Sequence, residues 1–131
     1  MSDLFTAEWM KRFGDAWNAE PDLGAALAKI NFNSTIAYGF AGEAQPRGYL
    51  KVENGMVVDS GAYSGQALNW DLRCKAEDWQ KWIQSPPGMM GLGMAYTTGK
   101  IKFAVGDYGA MVKDPRMAGP FIKSFAVMSR A

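Results

Sequence analysis

The sequence predicts an α+β fold built on a mainly antiparallel five-stranded sheet with helices on one face. Two observations predict it. Large apolar residues recur at helical spacing over residues 6–18, whereas from residue 34 apolar and polar residues alternate with the period of two that a half-buried strand shows. A chain of 131 residues suits a single core, so we expect one domain, 1–131.

Two helices are predicted before the first strand. Thr6 can cap a helix over 6–18, and a second, short helix is expected to begin at Pro21, a favoured first helical position. The residues predicted to face the core are Phe5, Trp9, Phe13 and Trp17 in the first helix and Leu23, Leu27 and Ile30 in the second.

Four strands should follow. Asn54-Gly55 between the second and third is the sequence of a two-residue hairpin turn. In the fourth strand Trp70, Leu72 and Cys74 are expected to face the core, whereas Asp71 and Arg73 are expected in solvent as a charge pair. The alternation places the four strands over 34–42, 47–53, 56–63 and 68–74.

The second half returns to helical spacing. A helix over 76–84 should be stopped by Pro86-Pro87, and a fifth strand is predicted over 100–106. Asp114-Pro115 then opens a terminal helix that Pro120 is expected to break or kink. Met117, Phe121, Phe125 and Met128 form its apolar stripe.

The composition argues against most catalytic and electrostatic functions. The chain has no histidine and only one cysteine, which removes the commonest general base and most zinc and copper sites. Its formal net charge of +1 gives no electrostatic reason to bind nucleic acid. We therefore expect no catalytic residues, no metal and no cofactor, so the protein is not expected to be an enzyme.

The cellular location is also an expectation. The first nine residues lack the basic and apolar regions of a secretory signal, and no stretch has the length of a membrane span. A lone Cys74 cannot form an intrachain disulfide. These features predict a cytoplasmic protein without an integral membrane segment.

Residues 86–96 are almost wholly apolar but rich in Gly and Met, which do not specify one packing arrangement. A core helix that contains Met would explain them, but so would an adaptable and mobile pocket wall. The surplus of large apolar side chains elsewhere, including five Trp, favours a cavity.

The chain resembles the sterol carrier protein type two family, the sterol-binding domain that occurs alone in many bacterial proteins. The resemblance rests on Trp9 and Trp17 in the first helix, residues 52–55, Trp79 and Trp82, Gly99-Lys100-Ile101-Lys102, Gly106-Asp107, and Pro120-Phe121 with Ser124-Phe125. It implies a five-stranded sheet and helices that enclose an apolar tunnel. By position, the implied ligand-binding residues are Phe13, Trp17, Tyr38, Phe40, Trp70, Met89, Met90, Leu92, Met94, Tyr96, Phe103, Phe121, Phe125 and Met128.

Two functional hypotheses follow. The first is non-enzymatic binding and transfer of a long apolar ligand such as a fatty acid, a fatty acyl-CoA or a sterol-like lipid. A charged head group would then lie near Arg116 or Lys123. The alternative is a protein-interaction or dimerisation module that docks through an apolar face, because interfaces also favour Trp and Met. This alternative includes a homodimer.

Overall fold

Five strands form one mixed sheet in the order β3-β2-β1-β4-β5 in a computed structural model, which describes residues 4–131 and every side chain among them except that of Met89. The pairs β1/β2, β2/β3 and β4/β5 are antiparallel, whereas β1 and β4 are parallel. The mainly antiparallel prediction therefore holds except for this central pair. The strands are β1 Ser34–Phe40, β2 Gly48–Glu53, β3 Met56–Ala62, β4 Trp70–Cys74 and β5 Ile101–Val105.

Six helical segments of residues 4–131 accompany the sheet. The second begins with a π-helical turn, Pro21–Ala25, and ends with Ala26–Ala28; both turns together are α2 below. The others are α1 Ala7–Asn18, α3 Ala76–Gln84, α4 Met89–Thr97, α5 Tyr108–Lys113 and α6 Pro115–Met128. Residues 89–97 form a helix, which was one of the two alternatives for this segment, whereas α5 was not predicted.

Local chemistry explains where these helices begin. The Thr6 hydroxyl accepts a hydrogen bond from the backbone N–H of Trp9, which confirms the predicted cap of α1. Asp114 caps α6 in the same way through the N–H of Arg116, and Asp107 caps α5. Of the predicted break or kink at Pro120, the break is wrong, because α6 continues through this residue. The carbonyl left without a donor belongs to the exposed Arg116, where water can satisfy it.

The core lies between the sheet and the helices and is strongly aromatic. The ring of Phe5 packs 5.7 Å from that of Tyr38 and 5.1 Å from that of Trp79, measured between centroids. Trp79 in turn packs against Phe125 of α6 at 6.3 Å. The indole nitrogen of Trp79 donates a hydrogen bond to the carbonyl of Gly39 over 2.8 Å. This buried indole thus keeps its polar atom satisfied.

The prediction that Asp71 and Arg73 lie in solvent is wrong. Both are buried, and the Arg73 guanidinium donates to both carboxylate oxygens of Asp71, over 2.6 and 3.0 Å. Arg73 also donates to the carbonyl of Glu43, in the loop between β1 and β2. That loop folds onto the sheet so closely that a Cβ on Gly39 would lie 2.8 Å from the Cα of Pro46. The alternation along β4 correctly placed Asp71 and Arg73 on the face opposite the core, but it cannot show that a loop covers this face.

Candidate functional site

An apolar cavity lies between the central strands and the helices. Its floor comes from the parallel pair, where Ile36 is in register with Trp70 and Tyr38 with Leu72. Alternate residues of a strand point to the same face, so these four side chains form one apolar surface. The whole lining consists of Trp17, Leu23, Leu27, Phe32, Ile36, Tyr38, Trp70, Leu72, Met111, Met117, Pro120, Phe121 and Ser124.

The roof of the cavity is helical. Leu23 and Leu27 of α2 are four residues apart, and Met117, Phe121 and Ser124 of α6 follow at spacings of four and three. Residues at these spacings lie on one face of a helix. Two helices that are far apart in the chain, α2 and α6, thus close the same cavity.

The cavity is small in this structure. It has about 30 Å³ of open volume, enough for one or two water molecules. Pockets that bury small-molecule ligands usually measure about 300–1,000 Å³. A long ligand therefore requires the roof to move away from the floor.

Among residues 4–131, no charged side chain lines the cavity, and two of its polar groups have partners inside the protein. The indole nitrogen of Trp17 donates to the carbonyl of Gly55 over 2.9 Å, and the Ser124 hydroxyl donates to the carbonyl of Phe121 over 2.5 Å. Burial raises the pKa of the Tyr38 phenol, so this side chain stays neutral at ordinary pH. The arrangement suits hydrocarbon and offers no acid–base chemistry.

A polar depression borders one edge of the cavity. Phe32, Trp70 and Met117 line both spaces, while the depression adds Lys29 and Arg116, among other residues. Arg116 holds Asp114 in an ion pair, with Nη2 3.0 Å from Oδ2, and this interaction lowers the pKa of Asp114. A ligand with an apolar body and a polar end would meet suitable groups in both spaces.

Ion pairs tie the roof together on another side. Glu20, just before α2, accepts a hydrogen bond from Nη1 of Arg130 over 2.9 Å, and Nζ of Lys123 lies 3.7 Å away. These contacts join the start of α2 to the second half of α6 and to the turn just beyond its end. The Arg130 hydrogen bond, a backbone N–H from Asp22 and the Lys123 charge lower the pKa of Glu20.

Comparisons with solved structures agree with this geometry. Neither a family model nor a curated protein sequence matches the chain. The crystal structure of a sterol carrier protein 2, however, superimposes with a TM-score of 0.77 at 15% identity, covering 98% of this chain and 99% of that one. The protein has the sterol carrier protein 2 fold. The predicted resemblance is thereby confirmed as a likeness of fold.

Two further structures share the sterol carrier fold. A conserved hypothetical protein from Thermus thermophilus, known from a solution structure and described as possibly a sterol carrier protein, has a TM-score of 0.69 at 15% identity, with 98% and 92% of the chains covered. A ubiquinone synthesis protein described as UbiJ-SCP2 has a TM-score of 0.61 at 13% identity, with 98% and 95% covered.

Within this sterol carrier fold, the predicted ligand-binding residues separate into three groups. Trp17, Tyr38, Trp70 and Phe121 line the cavity together, and Phe103 lies one layer behind, with its ring 6.0 Å from those of Trp70 and Phe121. The residues of the second group are buried or half-buried outside the lining: Phe13, Phe40, Leu92, Phe125 and Met128.

The third group lies at the surface. Met90, Met94 and Tyr96 of α4 are 82%, 64% and 43% exposed. The side chain of Met89 lies outside the described part of the structure. The Met-rich segment that first indicated a pocket is therefore a surface helix in this closed form, and the cavity lies elsewhere.

Nine cavity residues were not among the predicted ligand-binding residues. Leu23 and Leu27 were predicted to face the core, and Met117 was placed on the apolar stripe of α6, so the pattern found their direction but not their role. Met111 belongs to the unpredicted α5. The others are Phe32, Ile36, Leu72, Pro120 and Ser124.

Three observations on residues 4–131 concern metal sites, the thiol and the hydropathy of the helices. No group of three or more His, Cys, Asp or Glu in this range is placed to hold a metal ion. Cys74 is buried, and burial together with the charge of Asp78 raises the pKa of its thiol, so it is a poor nucleophile. None of the helices in this range combines the length and hydropathy needed to cross a bilayer.

Proposed function

We propose that the protein binds a long apolar ligand between its sheet and the α2/α6 roof and transfers it, without catalysing a reaction. The observation that supports this most directly is the cavity itself. Its lining is apolar, comes from both layers of the fold, and is closed by helices rather than by strands. Fatty acids, fatty acyl-CoA esters and sterol-like lipids fit these properties.

The energy balance supports reversible binding. Burial of a sixteen-carbon chain contributes about 13 kcal/mol at roughly 0.8 kcal/mol per CH₂, against association costs of about 4–15 kcal/mol. Separation of the roof from the floor adds a further cost because the cavity is closed. At the lower end of these costs about 9 kcal/mol remains before the roof is opened, which limits the affinity to about the micromolar range and permits both uptake and release.

A polar ligand head would lie in the polar depression beside Lys29 and Arg116. Arg116 already pairs with Asp114, whereas Lys29 has no carboxylate of residues 4–131 within salt-bridge distance. Lys29 is therefore the better candidate for an anionic head. This differs from the sequence-based choice of Arg116 or Lys123, since Lys123 pairs with Glu20.

The test is a matched pair of Met→Gln variants in a solution binding assay. Titration of the purified protein with a fatty acid, a fatty acyl-CoA, a sterol and a ubiquinone is followed by Trp fluorescence, since Trp17 and Trp70 line the cavity. Met117→Gln places an unpaired amide in the apolar wall and should weaken binding roughly tenfold. Met94→Gln is the control, because Met94 lies at the surface.

Native mass spectrometry separates this proposal from its alternative. A monomer that carries co-purified lipid supports the carrier, whereas a ligand-free dimer supports the dimerisation module. If neither fluorescence nor native mass spectrometry detects an apolar ligand, the proposal is wrong. Equal effects of the two substitutions would instead remove the cavity as the site.

A further inference from the structure

Helix α4 presents an apolar face to solvent. Leu92 and Ala95 point into the protein and are buried, whereas Met90 is 82% exposed and Met94 64%. We call Met90, Gly91, Met94 and Thr97 the α4 outer face; all four are exposed and none is charged. Surface helices normally carry charged or polar residues on this side. Two neighbouring exposed Met side chains therefore indicate contact with something apolar.

The hydroxyl groups near this face are already used. Thr97 donates to the carbonyl of Gly93 over 2.9 Å, and Thr98 donates to the carbonyl of Met94 over 2.8 Å. Their methyl groups and the Met side chains are what remains for an outside contact. The outer face can therefore enter an apolar medium without leaving a side-chain donor unpaired.

Positive charge lies at the C-terminal end of the same helix. Residues 85–106 contain Lys100 and Lys102 and no acidic residue. Both lysines are exposed, and no carboxylate of residues 4–131 lies within 4.0 Å of either ammonium group. Lys102 is in register with Arg73, so its side chain lies on the face of the sheet opposite Phe103, on which α4 packs. Lys100 follows α4 directly and is therefore the lysine beside the helix. An apolar helix face with an uncompensated lysine at its C-terminal end matches the interface of an anionic lipid bilayer.

We propose that the α4 outer face docks onto the surface of a bilayer that contains anionic lipid. Met90 and Met94 enter the boundary between head groups and acyl chains, while Lys100 contacts lipid phosphates. A second copy of the chain fits less well, because two outer faces together would bring two lysines to the contact and no acidic residue of 85–106. One face of a nine-residue helix is also small for a stable dimer interface.

The docking face lies close to the cavity. The ring of Tyr96 on α4 packs 5.9 Å from that of Phe103, and Phe103 packs 6.0 Å from the cavity residue Phe121. Docking would thus bring a membrane within two aromatic contacts of the proposed ligand site. The docking itself does not depend on what the cavity binds.

The experiment measures co-sedimentation of the protein with vesicles of phosphatidylcholine alone or mixed with phosphatidylglycerol. The wild type should prefer the anionic vesicles about tenfold, and added salt should reduce that preference. Met90→Gln/Met94→Gln should lower partition onto anionic vesicles about tenfold. Met56→Gln is the matched control, since Met56 is an exposed Met on β3. Lys100→Gln should reduce only the preference for anionic lipid, and Lys102→Gln, on the opposite face of the sheet, should reduce it less.

A second measurement does not depend on a variant with weakened vesicle binding. Cys74 is buried, so a cysteine introduced by Met94→Cys can be labelled selectively with an environment-sensitive fluorophore. Anionic vesicles should shift its emission to the blue, whereas the same label at Val58→Cys on β3 should not shift. This labelled protein also tests the proposal if the double Gln variant fails to fold.

Three results would overturn the docking proposal. They are absence of vesicle binding by the wild type, equal binding by the wild type and Met90→Gln/Met94→Gln, and a dimer that the same substitutions dissociate. The last would assign the face to a second copy. Ligand binding in solution is measured separately. Met117→Gln should weaken ligand binding and keep vesicle binding, whereas Met90→Gln/Met94→Gln should weaken vesicle binding and keep ligand binding. Failure of one proposal therefore leaves the other measurable.

Discussion

Two arginines of this protein make the same contact in different surroundings. Arg73 and Arg47 each donate two hydrogen bonds to one carboxylate, that of Asp71 and that of Glu43. The side chains of the first pair are 10% and 5% exposed, and those of the second are 54% and 36% exposed. Solvent screens the second pair, whereas removal of one partner from the first leaves a buried charge.

Arg73→Ala should therefore destabilise the protein by about 3–5 kcal/mol, because Asp71 would remain buried without its cation. Arg47→Ala, the control, should cost about 1 kcal/mol or less. Urea unfolding followed by Trp fluorescence measures both values. Equal costs for the two variants would mean that water reaches Asp71 in the folded state.

At the scale of single residues, the sequence predicts the face on which a side chain lies better than it predicts whether that face is covered. Leu72 and Cys74 are buried as the alternation predicts, and Asp71 and Arg73 do lie on the opposite face. Their burial depends on residues 41–47, which fold back over the sheet and carry no periodic signal. Met90 and Met94 show the same limit: composition identified an adaptable apolar segment, but tertiary packing decides which side of it faces water.

At the scale of elements, α6 contributes the largest part of the cavity roof. It supplies Met117, Pro120, Phe121 and Ser124 to the roof, and Arg130 just beyond its end pairs with Glu20. Its start at Asp114-Pro115 could be predicted, since cap chemistry is local. The ion pair with Glu20 joins residues 110 positions apart in the chain, so no local pattern indicates it.

Acid should loosen the contact between α2 and α6. Because the folded protein lowers the pKa of Glu20 below 4.5, the ionised carboxylate stabilises the fold above that pH, and this contribution is lost as the pH falls through the lowered value. We expect Glu20→Gln to lower the Tm at neutral pH, with the difference from wild type shrinking below about pH 4. Glu53→Gln, at an exposed pair with Lys51, is the control for loss of one negative charge. A difference that persists unchanged in acid would contradict the role of the Glu20 charge.

At the scale of the whole molecule, the fold follows from the sequence more completely than the site does. Helices packed on a five-stranded sheet were predicted, and the parallel β1/β4 pair was not. β4 pairs with β1, across residues 41–69, rather than with its chain neighbour β3, and this is a non-local choice. That same pair sets Ile36, Tyr38, Trp70 and Leu72 side by side as the cavity floor. Ile36 and Leu72 were missed at the site because their role depends on this pairing.

A closed cavity makes a kinetic prediction for the proposed ligand. With about 30 Å³ open, a lipid can bind only after the roof separates, so the opening rate should limit association at high ligand concentration. Stopped-flow Trp fluorescence should show an observed rate that levels off as ligand increases. Glu20→Gln, which weakens the α2/α6 contact, should raise the plateau, whereas Glu53→Gln should leave it unchanged. An observed rate that rises linearly with ligand concentration, with an association rate constant above about 10⁷ M⁻¹s⁻¹, would show that the site is open before the ligand arrives.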